Sequence, residues 1–578
     1  MNIFSIFTLL GGLAFFLFGM NVMSNGLETM AGGGLEKTMK KVTSNDFLGF
    51  FLGAGITVAI QSSSAFTVML IGLVNSGLIN FSNTFGLIMG SNVGTTLTAW
   101  LLSLAGIEGK WYIEILNPSV FAPVLAFIGI AMQMLSKSQK KSNLANIFIG
   151  FTILICGMDF MSDSMLSFRD LPGFDSFLAT LKSPIIALLI STGFTGIIQS
   201  SAATIGIVQA LALSGGITWE MAIPLVLGAN IGTCVTALIG SIGTSKSAKR
   251  VVVMHSAVNV FGSVFCMIIM YIMRAFGIEI LEAEIAMVGV AIVHTLFNTI
   301  NTVLLLPVKK PLVKFCEFVV PDREEIKQTI ILDDRLLTMP AVAVGTSFDY
   351  TTQMSSLSIE AIKKSLALVD NFDEKIAVEI KELENQIDEY EDKLGTFMVK
   401  ISKEEISYSD ANQVTKMLHT INDFERIGDH ACNMVKVARE MKEKEICFSE
   451  EATKEISALT DAIYEILTLT QKAFATNDLS LAFKIEPLEQ VIDKLIFDIK
   501  AHHISRLQKG NCTIELGFIL HDLLTNYERV SDHCSNIAVA IIETKHGSFE
   551  THEYLRDVKG SNEEFKKDYE EYLTKFTL

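Results

Sequence analysis

The stretch "GAGITVAIQSSSAFTVMLIGLVNSG" (53–77) sets Gln61, Ser62, Ser63 and Ser64 in the middle of an otherwise apolar run. Polar groups need a partner there, because burying them away from water without one is costly. The apolar run around them, 47–79, has 33 residues. As one straight helix it would reach roughly 50 Å, well beyond a hydrocarbon core of ~30 Å. Split at the Gln-Ser cluster, each arm has about 14 residues and reaches ~21 Å, enough to enter a bilayer and return. A second long run, 183–217, carries its own cluster, Gln199, Ser200 and Ser201. Both are expected to be re-entrant helical hairpins with polar tips.

The rest of the chain fits that setting. It has 578 residues, half of them hydrophobic, and a mean hydropathy of +0.42, too long and too apolar for one soluble domain. Residues 1–306 carry 13 basic and 13 acidic side chains, so the net charge of −17 resides in the remainder. Lipid is implied as the solvent of the first half and water as that of the second. The acidic second half argues against a nucleic-acid partner. The four cysteines within 345–560, without a CxxC spacing, suit a reducing cytosol. Spanning helices are expected near 3–25, 83–105, 115–136, 145–163, 218–242, 251–274 and 285–306. The first is long enough to span, with no clear cleavage site after it.

With non-crossing hairpins, one side of the membrane collects Lys37, Lys40, Lys41, Lys137, Lys140, Lys141, Lys246, Lys249, Arg250, Lys309, Lys310 and Lys314. The other receives only Lys110, Arg169, Lys182 and Arg274. The positive-inside bias then puts the N-terminus outside and the acidic second half in the cytoplasm.

An internal repeat runs at a constant offset of 138 residues. Gly12, Gly19 and Ser24 return as Gly150, Gly157 and Ser162; Thr57, Gln61, Ser62 and Ser63 return as Thr195, Gln199, Ser200 and Ser201; "GSNVGTTLTA" (90–99) returns as "GANIGTCVTA" (228–237). Three crossings separate the copies, so they are expected to be inverted, with the hairpin tips meeting near mid-bilayer as in secondary transporters. The expected fold is therefore all-α: a polytopic membrane transporter with inverted repeats and two re-entrant hairpins, followed by a helical bundle.

At each tip the second arm starts with unpaired N–H groups and a positive dipole end, which seek an anion. Two dipole ends supply only about one positive charge, and no Lys or Arg stands in the hairpins. A divalent anion would need cations beside it. Thr57, Asn92, Thr95 and Thr98 in the first copy, with Thr195, Asn230, Thr233 and Thr236 in the second, offer oxygens for hard cations. Cation-coupled anion transport follows. Small polar residues also pack membrane helices, but duplication in register favours a site. His255 with Asn259, and His294 with Asn298, form i,i+4 pairs that either tie helices together or relay protons, and structural hydrogen bonding is the favoured expectation. Asp159 is expected as an interfacial carboxylate.

Beyond a linker at 307–344 the chain reads as helix. "DFERIGDHACNM" (423–434) returns as "NYERVSDHCSNI" (526–537), and "ENQID" (384–388) as "EQVID" (489–493). Four carboxylate pairs result, Glu384/Asp388, Glu425/Asp429, Glu489/Asp493 and Glu528/Asp532. Like charges at i,i+4 call for a counterion, either Arg426 and Arg529 or metal ions such as Mg²⁺, Mn²⁺ or iron.

The "QSSSA" and "QSSAA" motifs, each followed by a "GxNxGT" run, resemble the type II sodium/phosphate cotransporters, in particular bacterial members with a fused PhoU-like domain. The resemblance covers 1–306 for the transporter and 345–560 for the PhoU-like part, leaving a tail at 561–578. It implies phosphate import coupled to sodium, with phosphate bound by Gln61, Ser62, Ser63, Ser64, Gln199, Ser200 and Ser201. Ala202 stands where the first copy has Ser64, so the second tip has one hydroxyl fewer. The doubled "ERxxDHxxN" resembles PhoU, which implies metal clusters at the carboxylate pairs and restraint of uptake when phosphate is plentiful. A multi-pass protein of a bacterial inner membrane is expected, open to regulatory protein partners and to homo-oligomers. A phosphate sensor without net transport is the alternative. An enzyme is not expected, since Walker A, HExxH and GxSxG motifs are missing.

Overall fold

The computed structural model describes residues 3–31, 45–106, 117–136, 138–169, 174–321, 330–546 and 563–577. Lys37, Lys40, Lys41, Lys110 and Lys137, used above to assign sides, lie outside them, as does the side chain of Arg169. Among the described residues the regular elements are helices, with one isolated bridge between Thr218 and Glu284. The chain forms two compact units, 1–326 with 333–343, and 327–332 with 344–578.

Among the described residues of the first unit seven helices are long and apolar enough to cross a membrane: Phe4–Met30, Phe81–Ser103, Pro118–Leu135, Lys140–Ser167, Trp219–Gly240, Lys246–Ala275 and Met287–Val319. Two differ most from the sequence expectation. The helix expected at 145–163 runs over Gln139–Arg169, because hydropathy marks a span and nothing in its polar flanks breaks a helix. The one expected at 83–105 divides at Thr95 into Thr84–Gly94 and Thr96–Ser103.

Each long run is a pair of short helices: Asp46–Ile60 with Ser63–Asn75, and Pro184–Ile198 with Ser201–Leu213. The Asn45 side chain caps the first by accepting from Phe47 N at 2.9 Å, and Pro184 starts the other arm at a position that needs no N–H. Glycines set the neighbouring helix tightly against the first arm. A β-carbon at Gly86, Gly90 or Gly94 would run into the carbonyl oxygens of Asp46, Phe50 and Ala54 respectively. The matched steps of four mean that the two helices run parallel. Asp46 is thus level with Gly86, and Gln61, which accepts from Thr98 Oγ1 at 2.8 Å, lies at the far end. The hairpin leaves and returns at one level. In the second copy Gly228 packs on Leu188, and Gly232 on Thr192, at the same offset of 138.

The copies face each other through exchanged contacts. Helix Ile3–Ala31 lies antiparallel to Gln139–Arg169, with Gly12 against Gly157 and Gly19 against Gly150. Val68 packs on Gly240, and at the equivalent positions Gly206 faces Leu102. Each contact maps onto the other when 138 is added to one partner and subtracted from the other, the mark of a two-fold relation. Phe16, Leu154, Met158 and Met161 fill the centre. Past Lys309–Val319, residues 333–336 fasten beneath hairpin one. Asp333 Oδ2 accepts from Asn75 Nδ2 at 2.6 Å and pairs with Arg335 Nη1 at 3.0 Å. Arg335 Nε donates to Gly240 O at 2.5 Å, and Leu336 packs on Gly72.

The second unit contains two three-helix sets, Pro340–Asp370, Glu374–Ile401 and Tyr408–Glu443, then Glu450–Thr476, Ile485–Gln508 and Ile514–His546. Large apolar side chains such as Ile387, Leu394, Phe424, Leu459, Leu488 and Leu523 are fully buried, each stabilising by about 1.5–3 kcal/mol. The sets interlock where Tyr408–Glu443 meets Ile514–His546. His430 Nδ1 bonds Asn526 Oδ1 at 2.8 Å, and His533 Nδ1 bonds Asp423 Oδ1 at 2.8 Å. These partners also exchange under the 103-residue repeat. The expected tail contains helix Glu563–Lys575, whose Lys575 Nζ reaches Glu465 at 2.5 Å.

Candidate functional site

Both hairpin tips have the same backbone. Gln61 lies at φ 56°, ψ 20° and Gln199 at φ 60°, ψ 23°, left-handed conformations that cost a side-chain-bearing residue about 1 kcal/mol. Glycine would be free of that cost, so a glutamine in both copies points to a use for its side chain. The N–H groups of Gln61 and Gln199 close the first arms on Thr57 O and Thr195 O, both at 2.7 Å. Ser62 and Ser200 cap the second arms, accepting from Ala65 N and Ala203 N, both at 3.2 Å. Their hydroxyl protons stay available for an anion. The N–H groups of Ser63, Ser64, Ser201 and Ala202 precede the first intrahelical bonds and point the same way.

The two tips differ in their support. Gln61 is 8% exposed and doubly held, by Thr98 at Oε1 and by its own Nε2 donating to Val58 O at 2.6 Å. Gln199 is exposed, and Thr236, the counterpart of Thr98, has a buried hydroxyl with no hydrogen-bond partner among the described residues. Ser63 and Ser201 are buried, and Ser64 is half-buried. Helix 96–103 holds the first tip through Thr98 and, one turn on, packs Leu102 against Gly206 in the second hairpin. It thereby joins the first tip to the other copy.

Of the oxygens expected to suit a cation, Thr57 and Thr95 meet on one residue. Thr57 Oγ1 donates to Ser91 Oγ at 2.8 Å and Thr95 Oγ1 to Ser91 O at 2.9 Å. Ser91 was not singled out by the sequence, although it lies inside the repeated run, with Ala229 opposite in copy two. Asn92 Nδ2 donates to Asn259 Oδ1 at 3.1 Å. In the second copy Thr195 bonds Thr204 within its own hairpin at 2.7 Å, while Asn230 and Thr233 bond within helix 219–240. Of the two His-Asn pairs expected to tie helices together, one does so through its asparagine and the other bonds within its own helix. Asn298 donates to the backbone oxygen of His294 at 2.9 Å, and Asn259 turns to Asn92 and Cys234. An i,i+4 spacing permits a pair, but backbone and neighbouring helices compete for it. Asp159 accepts from Ser119 at 2.9 Å.

In the second unit Glu384, Asp388 and Asp429 bring carboxylate oxygens within 4.8 Å of one another. Burial and neighbouring carboxylates raise Asp388, and burial followed by Asp429 pushes Glu425 up to about 7. Glu425 stands beside the trio and outside it. Lys381 Nζ contacts Glu384 at 2.5 Å, at the edge of a cavity of about 550 Å³. In the second set no three of Glu489, Asp493, Glu528 and Asp532 close to that spacing. Lys500 meets Glu528 at 3.3 Å and Arg529 meets Asp532 at 3.5 Å. Glu486, where the first set has Lys381, adds another carboxylate that bonds Ser535. Burial and the charges of Asp532, Glu528 and Glu486 raise Asp493. The acceptor-only oxygens of the trio fit a hard divalent cation.

Comparison with known proteins matches the model described as "Na+/Pi-cotransporter" over residues 15–163 and 172–300. The PhoU domain matches 351–438 and 456–541. YqeW of Bacillus subtilis is 30% identical over 313 residues, covering 54% of this chain and 96% of YqeW. The chain belongs to the Na+/Pi-cotransporter family. Membership in the Na+/Pi cotransporters makes it a membrane protein of phosphate transport rather than an enzyme. Escherichia coli YjbB, whose name assigns it to inorganic phosphate export, is 22% identical over 546 residues, 93% of this chain and 97% of YjbB. Rat sodium-dependent phosphate transport protein 2A is 35% identical over 99 residues, 17% of this chain and 15% of that protein.

Proposed function

We propose that the first unit carries inorganic phosphate across the membrane together with sodium, binding the anion between the tips Gln61–Ser64 and Gln199–Ser201. The observation that carries this reading is the duplicated tip geometry, with two helix N-termini, capping serines whose protons remain free, and glutamines in a strained conformation. Thr57, Asn92 and Thr95, with Thr195, Asn230 and Thr233, supply sodium ligands, because two dipole ends leave a divalent anion under-neutralised. The same-level return of hairpin one supports re-entry into the bilayer, and the antiparallel packing of the equivalent helices 3–31 and 139–169 supports inversion of the copies.

An inward sodium gradient drives import through such a symporter. A second reading, export, is favoured by the name of YjbB, a relative that spans both units. Proteoliposomes loaded with phosphate and placed in phosphate with sodium on either side decide the matter. Net flux following the sodium gradient in both directions supports symport. Flux that ignores sodium refutes coupling, and binding without flux supports the sensor reading. The PhoU domain lies in the cytoplasm of a bacterial cell, holds a divalent or iron ion at Glu384, Asp388 and Asp429, and restrains transport.

A further inference from the structure

Helices 246–275 and 287–305 stand outside the 138-residue repeat, yet they bury a polar seam. Asn301 Nδ2 donates to Val258 O at 3.0 Å, and its amide lies over Gly262. These contacts fix the register of the antiparallel pair. Ser263, next to Gly262, is therefore level with Asn298, one turn from Asn301. Ser263 follows Asn259 by one turn, and Asn298 precedes Thr302 by one turn, and both of those neighbours contact helix Thr84–Gly94. From helix 246–275 Asn259 bonds Asn92, and from helix 287–305 Thr302, next to Asn301, contacts Met89 Sδ at 3.9 Å. Ser263 Oγ, Asn298 Oδ1, Asn301 Oδ1 and both ring nitrogens of His294 have no hydrogen-bond partner among the described residues. All four residues are at most 2% exposed.

Unpaired acceptors in such a place are destabilising, by about 1–3 kcal/mol each. Helix-to-helix packing does not explain them, because packing would be served better by apolar side chains of the same shape. They are mostly neutral oxygens, a donor set for a hard cation. No buried carboxylate lines the seam, so a single charge suits it better than a double one. One turn away, Asn259 touches Asn92, proposed above as a sodium ligand.

We propose that Ser263, Asn298 and Asn301 hold a sodium ion in this seam, a site additional to those within the repeats. It rests on the reading of sodium-coupled phosphate transport, and it supplies positive charge that two dipole ends lack. Through Asn259, which also contacts Cys234 in the second copy at 3.6 Å, occupancy of the seam reaches both halves.

The test uses the full chain. Thermal unfolding in detergent without phosphate is followed against sodium, with choline holding ionic strength constant, alongside sodium-dependent phosphate uptake in proteoliposomes. The variant Ser263→Ala/Asn298→Leu is expected to raise the half-effective sodium concentration roughly tenfold in both measurements and to lower the sodium Hill coefficient of uptake. Asn298→Asp, which keeps the shape and adds charge, is expected to lower that concentration; it also serves if the double variant does not fold. If both variants keep the wild-type sodium midpoint, or if removing the orphaned groups only raises the melting temperature, the seam is a packing feature and the proposal falls. If wild-type uptake ignores sodium while its melting temperature still responds through Asn298, the transport reading fails and the site stands.

Discussion

Replacing Thr98 with Val removes one hydroxyl and keeps the side-chain shape. In the wild type that hydroxyl donates to Gln61 Oε1 at 2.8 Å, with Thr98 4% and Gln61 8% exposed. Without it the amide keeps only its Nε2 bond to Val58 O and loses its fixed orientation at the tip. Leaving a buried acceptor unsatisfied costs about 1–3 kcal/mol. Where that cost falls on the phosphate-bound state, affinity drops roughly 5- to 150-fold. Phosphate uptake into proteoliposomes at saturating sodium, titrated with phosphate, measures it. Thr98→Ser restores the hydroxyl and is expected to recover most of the affinity. Equal phosphate affinities for wild type and Thr98→Val would refute the placing of Gln61 in the site. Failure of Thr98→Ser to improve on Val would assign the loss to packing instead.

Other perturbations test the surrounding structure. Gly90→Ala drives a methyl into Phe50 O and is expected to cost about 1–3 kcal/mol, whereas Gly55→Ala, with nothing within 4 Å, should melt no lower than wild type; equal loss in both would contradict the packing of hairpin one. Arg335→Ala leaves Asp333, 6% exposed, without its charged partner and should lower the melting temperature of the membrane unit, with Asp333→Asn/Arg335→Ala recovering part of the loss. Glu425 has its folded pKa raised from 4.5 to about 7, so the folded state binds more protons and its stability falls as pH rises between those values. In EDTA the helical unit should melt progressively lower across that window, and Mg²⁺ or Mn²⁺ should flatten the trend; an identical pH profile with and without metal would argue against a site at Glu384, Asp388 and Asp429. Removing residues 344–578 should leave phosphate flux intact but unrestrained, and a well-inserted truncated protein without flux would contradict the regulatory role.

The parts legible in the sequence are those written as period or length. Run length alone demanded a break at Gln61 and Gln199, and the 138-residue register foretold equivalent tips, down to dihedral angles that agree within a few degrees. The turn itself was harder to read, because left-handed conformations are usually marked by glycine, and here glutamine takes them. Contacts between distant elements left no such trace. Ser91 is unremarkable in a run of small residues until Thr57 is placed opposite it. Nothing in the linker's sequence says that Asp333 and Arg335 will grip Asn75 and Gly240. The i,i+4 spacing of histidine and asparagine marks residues able to tie helices, but spacing does not decide between a carbonyl of the same helix, as for Asn298, and the next helix, as for Asn259. Equivalent carboxylates also differ in their neighbours, Lys381 in one set and Glu486 in the other, and that difference shows only once the repeats are superimposed.

The tips are taken to share one anion. Equilibrium binding of radiolabelled phosphate to the purified full chain in sodium addresses this most directly, comparing wild type with Ser62→Ala/Ser63→Ala and with Ser200→Ala/Ser201→Ala. A shared site gives one phosphate per chain, lost when either tip is altered. Two phosphates per chain, or a folded variant that binds as tightly as wild type after one tip is changed, would show that the hairpins do not form a single pocket.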